Sequence, residues 1–294
     1  MAQPAANPVP DARALPLDTR FDLGASITPT QAAFLDRYGF VVFRRVASPD
    51  EIAALAAELD LIQKRWLADG RSEVYGIPLF VGRDERGAPF IQRFPFSSCF
   101  SELIHDFVRD ARFEPVRSLI GDQARVGDRE KDGVVVNRYI NLPSSVYPRL
   151  GWHTDGLRDL FYLRMPKPML NVGLHFDRVT KHDGGLRLIP GTHNQGFWSS
   201  CFRKPYFVSH RPDPGEIAVE TEPGDLTVHD GRLWHRVERS PHTGARSLRR
   251  SMYVPYLTAE HQPKDDRSRM PLYHQLGRAG RALRLVRARV RARR

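Results

Sequence analysis

The sequence predicts a mainly β protein with flanking helices, a β-sandwich or barrel buttressed by an N-terminal helical layer. Two observations carry this. Helical periodicity with capping signals is confined to residues 28–120, and from residue 133 β-rich runs alternate with Gly, Pro, Asn and Asp clusters. A third observation narrows it: there is no βαβ alternation and no internal repeat, which argues against a doubly wound nucleotide-binding fold.

The elements follow in order. Residues 1–24, rich in Ala and Pro, read as a loose arm. Thr28-Pro29-Thr30-Gln31 is a capping box with Pro at the first helical position. Phe34, Leu35 and Tyr38 recur at helical spacing, and Gly39 is placed to end the helix. FVVF (residues 40–43) is a short strand. Ser48-Pro49-Asp50-Glu51 opens a longer helix whose apolar stripe is Ile52, Leu55, Leu59, Ile62 and Trp66. A third helical region starts near Ser101, with Leu103, Ile104, Phe107 and Val108 on its face and Pro115 dividing it. The core proper, residues 133–257, carries β-rich runs at 134–140, 170–176, 186–189, 216–220, 225–229 and 248–257.

Composition limits the function classes. No apolar run is long enough to span a bilayer. The opening MAQPAANPVP has neither a basic n-region nor an apolar h-region, and Cys99 and Cys201 form no framework, so a cytoplasmic protein with free thiols is expected. The formal charge is +11, but eight arginines and no acid lie within residues 276–294. The basicity is mostly a property of that C-terminal stretch.

The residues with chemistry begin at Gly151-Trp152-His153-Thr154-Asp155-Gly156. In a strand, residues i and i+2 share a face, so His153 and Asp155 can present one nitrogen and one oxygen ligand together. Alone the pair is also an ordinary polar pair at a strand end. A second histidine changes the balance, because two histidines and one carboxylate with open positions form the facial triad of non-haem Fe(II) oxygenases. Pro223–Val237 (PGDLTVHDGRLWHRV) offers His235, after a turn, and His229, within the preceding strand; motif context favours His235 and leaves His229 as a rival or a neighbour of the metal. An anionic co-substrate calls for an Arg, which suits bidentate capture of a carboxylate. Arg246 lies eleven residues after His235; alternation puts Arg250 on its face and turns Arg249 away.

The order His-x-Asp, GGLRLIPGTH (Gly184–His193), PGD…WH and a following Arg resembles the phytanoyl-CoA dioxygenase family. ITPTQAAFLDRYGFVVFRRVASPDEIAAL (Ile27–Leu55) resembles that family's N-terminus, so the likeness covers roughly residues 27–257. The resemblance implies a double-stranded β-helix (jelly-roll, cupin-like) core in a dioxygenase domain over 25–262. It implies Fe(II), 2-oxoglutarate and O2 as cofactor and co-substrates, with succinate and CO2 released. By the same resemblance His153, Asp155 and His235 hold iron, Arg246 meets the far carboxylate of 2-oxoglutarate, and Asn137 and Asn171 help bind it. His229, Trp152 and Arg250 are candidates for the surrounding layer. No catalytic residue beyond the metal ligands is implied. Related halogenases carry a small residue in place of the carboxylate, so Asp155 points to hydroxylation.

The expected reaction is hydroxylation of an unactivated C–H bond in a small molecule or a membrane-presented glycan or lipid, for example a lipopolysaccharide core sugar. Desaturation, epimerisation or ring closure by the same oxidant is the alternative, and a non-catalytic jelly-roll binding module is another. Segments 76–96 and 193–207 mix aromatics with Arg or Lys, suiting a substrate with an apolar body and an anionic group; the aromatics equally suit lid or core packing. The tail, with Leu276, Ala279, Leu283, Val286 and Val290 at helical spacing among arginines, suits peripheral contact with an anionic membrane. A solvated helix or a basic disordered end fits the same residues. Nucleic acid is not expected. The demethylases of the wider superfamily carry Arg-x-Asn-x-x-x-Arg after the distal His, and Arg246-Ser247-Leu248-Arg249-Arg250 lacks the Asn.

Overall fold

The structure is a computed structural model and describes residues 14–161 and 163–271. The chain opens with β1 (Arg20–Phe21), α1 (Pro29–Tyr38), β2 (Phe40–Phe43) and α2 (Pro49–Ala68). A ribbon of β3 (Glu73–Val74) and β4 (Ile77–Pro78) precedes the hairpin β5 (Phe80–Arg83) and β6 (Pro89–Phe94), and then α3 (Glu102–Phe107) and α4 (Glu114–Ser118). After these come β7 (Arg125–Val126), β8 (Val135–Tyr139), β9 (Leu150–His153), α5 (Leu157–Phe161), β10 (Met169–His175) and β11 (Gly185–Leu188). The last elements are α6 (Phe197–Phe202), β12 (Ile217–Ala218), β13 (Leu226–Asp230), β14 (His235–Glu238) and β15 (Arg249–Leu257).

Two sheets face each other in a jelly roll. The major sheet runs β1-β2-β13-β10-β15-β8-β6-β5, with β7 beside β15, and the minor sheet runs β12-β11-β14-β9. Both sheets keep open edges, so of the two architectures the sequence allowed, the sandwich is realised and the closed barrel is not.

Strand alternation divides the major sheet chemically. Leu170, Val172 and Leu174 of β10, Leu226 and Val228 of β13, and Met252, Val254 and Tyr256 of β15 join one apolar cluster with Leu55, Leu59, Ile62 and Trp66 of α2. Asn171, Gly173 and His175, Thr227 and His229, and Arg249, Ser251 and Tyr253 alternate with them and face the minor sheet. One face buries hydrocarbon against the helices; the other lines a polar chamber.

The helical layer follows its sequence signals. Thr28 and Ser48 both close reciprocal capping boxes, and Gly39, at φ 79°, donates its N–H to the Leu35 carbonyl. The predicted stripe of α2 is the set of residues it buries. Two expectations need correction. Leu103 is exposed, and Pro115 lies in the first turn of α4 rather than dividing a longer helix, because α3 already ends at Phe107.

Residues 14–24 are not a loose arm either. β1 pairs in parallel with β2 (Arg20↔Val42, Phe21↔Phe43), and Leu15, Leu17, Phe21 and Leu23 pack against the core. Residues 1–13 of that arm and the predicted basic helix at 276–294 lie outside the described residues. Among the described residues no helix is long and apolar enough to cross a membrane.

Candidate active site

The GWHTDG stretch ends β9 at the mouth of the sandwich. β14 runs antiparallel beside it, placing His235 directly opposite His153, with ring centroids 4.0 Å apart. Asp155 lies just past the strand, where its N–H donates to the Gly231 carbonyl at 2.7 Å and Lys131 Nζ donates to its own carbonyl at 2.8 Å. The turn needs a glycine at 231, since a Cβ there would sit 2.8 Å from Met169 Sδ and 3.4 Å from Asp155 Cβ. Gly151 has a similar role: a Cβ would stand 2.5 Å from the Phe207 carbonyl oxygen.

The two imidazoles are oriented alike. His153 Nδ1 lies 2.8 Å from the Gly151 carbonyl and His235 Nδ1 lies 3.0 Å from the Leu233 carbonyl. Each Nδ1 therefore carries the proton and donates, which leaves each Nε2 lone pair directed into the site. One ligand atom from each of His153, Asp155 and His235 lies within 4.8 Å of the other two. Burial pushes the His153 imidazolium down to about 3, helped by His235, so the ring is a neutral donor at ordinary pH. Burial alone would raise Asp155, but His235, His153, His229 and Lys131 together outweigh it and hold the carboxyl below its usual range.

His229 faces the same space from β13. Its Nε2 is 3.8 Å from Asp155 Oδ2, its ring centroid is 4.6 Å from that of His235, and neither ring nitrogen has a hydrogen-bond partner. It is a neighbour of the three-residue cluster rather than part of it. Asn171, opposite His229 across β10 and β13, donates from Nδ2 to Asp155 Oδ2 at 3.1 Å. That contact ties Asn171 to the Asp155 carboxylate.

The predicted arginine is displaced. Arg246 is exposed on a single 3-10 turn, Gly244–Ser247, which ends before β15 begins. Arg249 is the buried one, 6% exposed, and shares the inward face with Ser251 and Tyr253. The reason is strand phase. Apolar Met252, Val254 and Tyr256 must meet the helices, so the odd-numbered positions of β15 turn into the chamber. Arg250, expected beside the site, points the other way and is held by Asp177 at 2.6 Å.

Arg249 has an unusual environment. Nη1 donates to the Glu238 carbonyl at 2.7 Å, Nε has no partner, and no carboxylate lies within 4.0 Å among the described residues. Burial drags its guanidinium down to about 10. Asp183 and Glu238 act on it only at longer range, and a buried cation with no direct ion pair is costly and attracts an anion.

Asn137 is also inward, opposite Ser251, with its Oδ1 unpartnered. Arg93, on the unanticipated strand β6, pairs in register with Asn137 and is bonded to Asp132 at 2.7 Å. Trp152 alternates out of the site: it is fully buried, donates from Nε1 to the Arg211 carbonyl at 2.9 Å, and has Lys204 and Arg236 each over its ring. The IPGTH segment (residues 189–193) is tied to its neighbours by its polar side chains. His193 meets the Asp36 carbonyl of α1 at 2.9 Å, and Thr192 Oγ1 accepts from the Trp234 N–H at 3.0 Å.

A jelly roll with two imidazoles and a carboxylate converging at its mouth defines a mononuclear metal-site protein of the cupin-like class. The sequence profile of phytanoyl-CoA dioxygenase (PhyH) matches residues 35–247, and the chain belongs to that family. A curated relative, dioxygenase af480 of Aspergillus fumigatus, is 26% identical over 208 residues, which span 69% of this chain and 59% of the relative. HygX from Streptomyces hygroscopicus, solved with nickel and 2-oxoglutarate, superposes with a TM-score of 0.57 at 17% identity, covering 79% of this chain and 87% of its own. EctD from S. alaskensis, solved with bound Fe, gives 0.56 at 20% identity, covering 81% and 79%. The epimerase SnoN from nogalamycin biosynthesis gives 0.55 at 17%, covering 79% and 84%. At these identities the solved structures establish the fold.

Proposed function

We propose that this chain is an Fe(II)- and 2-oxoglutarate-dependent dioxygenase that hydroxylates an unactivated C–H bond, its substrate a small molecule or a membrane-presented glycan or lipid. One observation carries the reading: a two-His, one-carboxylate cluster stands at the mouth of a sandwich whose inward face also carries a buried arginine in no direct ion pair. The donor set fits Fe(II), since three protein ligands on one side leave coordination positions for other groups. The lone cation at Arg249 fits the far carboxylate of a dicarboxylic 2-oxo acid.

In this reading His153 and His235 each contribute Nε2 and Asp155 contributes Oδ1. When bound, iron and the 2-oxo acid supply the oxidising power. The chain's own residues place and protect. Backbone carbonyls of Gly151 and Leu233 keep the imidazoles in one tautomer, and Asn171 restrains Asp155 Oδ2. Arg249 orients the co-substrate along the chamber, and Asn137 Oδ1 is available for a polar hydrogen from a bound ligand. Asp155 fills the position that halogenating relatives leave to chloride, so hydroxyl transfer is the expected outcome.

Anaerobic titration with Fe(II) and then 2-oxoglutarate tests this. One iron per chain, a charge-transfer band on adding the 2-oxo acid and succinate release on admitting O2 are expected, and loss of iron in His153→Ala, Asp155→Ala and His235→Ala. A chain that binds no iron, or binds it and releases no succinate, would refute the assignment and leave a ligand-binding jelly roll.

A further inference from the structure

Trp66, Trp152 and Trp234 are buried, whereas Trp198 is 70% exposed. It stands on α6 next to Phe202, which is 74% exposed, and the two rings stack at 5.9 Å with planes 12° apart. Leu163 and Met165, just after α5, and Phe207 and Val208, just after α6, are exposed as well, and α5 packs against α6.

This apolar surface forms the rim of the metal site. The Phe207 ring is 4.9 Å from the His153 ring, the Phe207 N–H donates to the Trp152 carbonyl at 2.8 Å, and the Thr154 and Tyr206 hydroxyls are 2.8 Å apart. The surrounding charge is predominantly basic, with Asp159 of α5 an acid among it. Arg164, Lys167, Arg203 and Arg211 are exposed, and residues 193–211 contain no Asp or Glu. Asp213, just beyond, is held by Lys204 at 2.8 Å.

We infer that this rim seats on a bilayer containing anionic lipid, with Trp198 and Phe202 among the headgroups and the chamber mouth turned to the lipid. Trp198, Phe202, Leu163 and Val208 stand out into solvent at this rim, whereas Phe207 reaches inward to His153. Exposed aromatics ringed by basic residues are the composition of an interfacial surface. The basic residues 276–294 are a separate source of attraction to the same surface. The inference deepens the proposed function by selecting a membrane-presented substrate, and in that respect rests on it.

The test uses the full chain and vesicles of phosphatidylcholine with roughly one third phosphatidylglycerol, against phosphatidylcholine alone. Because Trp198 is the exposed tryptophan, lipid brominated on its acyl chains should quench part of the fluorescence, and Trp198→Phe should lose that quenching while still sedimenting with anionic vesicles. The double variant Trp198→Ser/Phe202→Ser should partition about tenfold less while keeping the charge-transfer band, which shows that it folds. Vesicle binding without quenching would mean that the C-terminal stretch alone holds the chain, and would overturn the inference. Failure to bind, or equal binding by the double variant, would do the same. Quenching in a chain that gives no charge-transfer band would sink the oxygenase reading and leave the seating intact.

Discussion

His229 Nε2 lies 3.8 Å from Asp155 Oδ2, the same oxygen to which Asn171 Nδ2 donates at 3.1 Å. The two side chains face each other across β10 and β13, so both approach that oxygen from the major sheet. Asp155 Oδ1 is the oxygen on the His235 side, 4.0 Å from its Nε2. A carboxylate held at one oxygen offers the other to a cation and does not chelate with both. Outer partners of this kind typically change metal affinity by about 10- to 100-fold. Asn171→Ala and His229→Ala should each weaken Fe(II) binding by about tenfold in anaerobic calorimetry. Both should keep measurable turnover, unlike His153→Ala or His235→Ala. Undiminished iron affinity in both variants would show that Asp155 is positioned by its own backbone contacts alone.

Arg249 makes two opposite predictions at once. Its guanidinium is buried, pushed down to about 10 by that burial, and lacks an acidic partner. Arg249→Met should therefore leave the ligand-free fold no less stable in thermal unfolding, since removing an uncompensated buried charge offsets the lost packing. The same variant should weaken 2-oxoglutarate binding about 30-fold or more, the worth of a charge-assisted hydrogen bond. Arg246→Met, on an exposed turn, should leave that affinity unchanged in the same titration. The reverse ranking would restore Arg246 as the anion partner.

That pair of arginines shows what the sequence made legible. Cap signals, the α2 stripe and the β-rich runs were readable because each depends on neighbours a few residues apart. The His153–Asp155–His235 cluster was readable as a candidate because His153 and Asp155 are local and His235 follows a turn of recognisable composition. Arg249 was misplaced because the count from His235 ignored the 3-10 turn at 244–247 that delays β15. The phase of Met252, Val254 and Tyr256 was available and would have turned Arg249 inward. Asn171 and Arg93 depended on register between distant strands. β1 carries no such signal, because it is two residues long and pairs with β2 across the intervening α1.

Gly231 lets the β13–β14 turn approach Asp155. A methyl group there meets the Met169 side chain, which also accepts from Lys131 Nζ at 2.9 Å. Gly231→Ala should cost about 1–3 kcal/mol in urea unfolding, the range for forced overpacking. It should also weaken iron binding by shifting Asp155. Met169→Ala added to Gly231→Ala should restore part of the iron affinity, because the flexible thioether is the obstacle. No recovery would place the clash on Asp155 Cβ instead.

His175 gives the acid limb of stability. It is buried on the inward face of β10, with Nε2 3.0 Å from Thr227 Oγ1, and burial, assisted by Arg20, pushes it down from 6.5 to about 4. The unfolded chain takes up this proton more readily than the folded one. The stability that neutral His175 contributes is thus fully present above its unfolded value and is lost as pH falls toward its folded value. The whole difference is worth roughly 3 kcal/mol. His153 and His229, each pushed down to about 3, add to the loss in the same direction. His175→Gln keeps a partner for Thr227 and removes one titrating group, so the metal-free variant should lose less stability than wild type between about pH 7 and 4.5. Urea unfolding across that range reads the difference as a narrowing gap between the two proteins. Parallel curves would mean that His175 gains its proton as easily when folded as when unfolded, against its burial in the chamber.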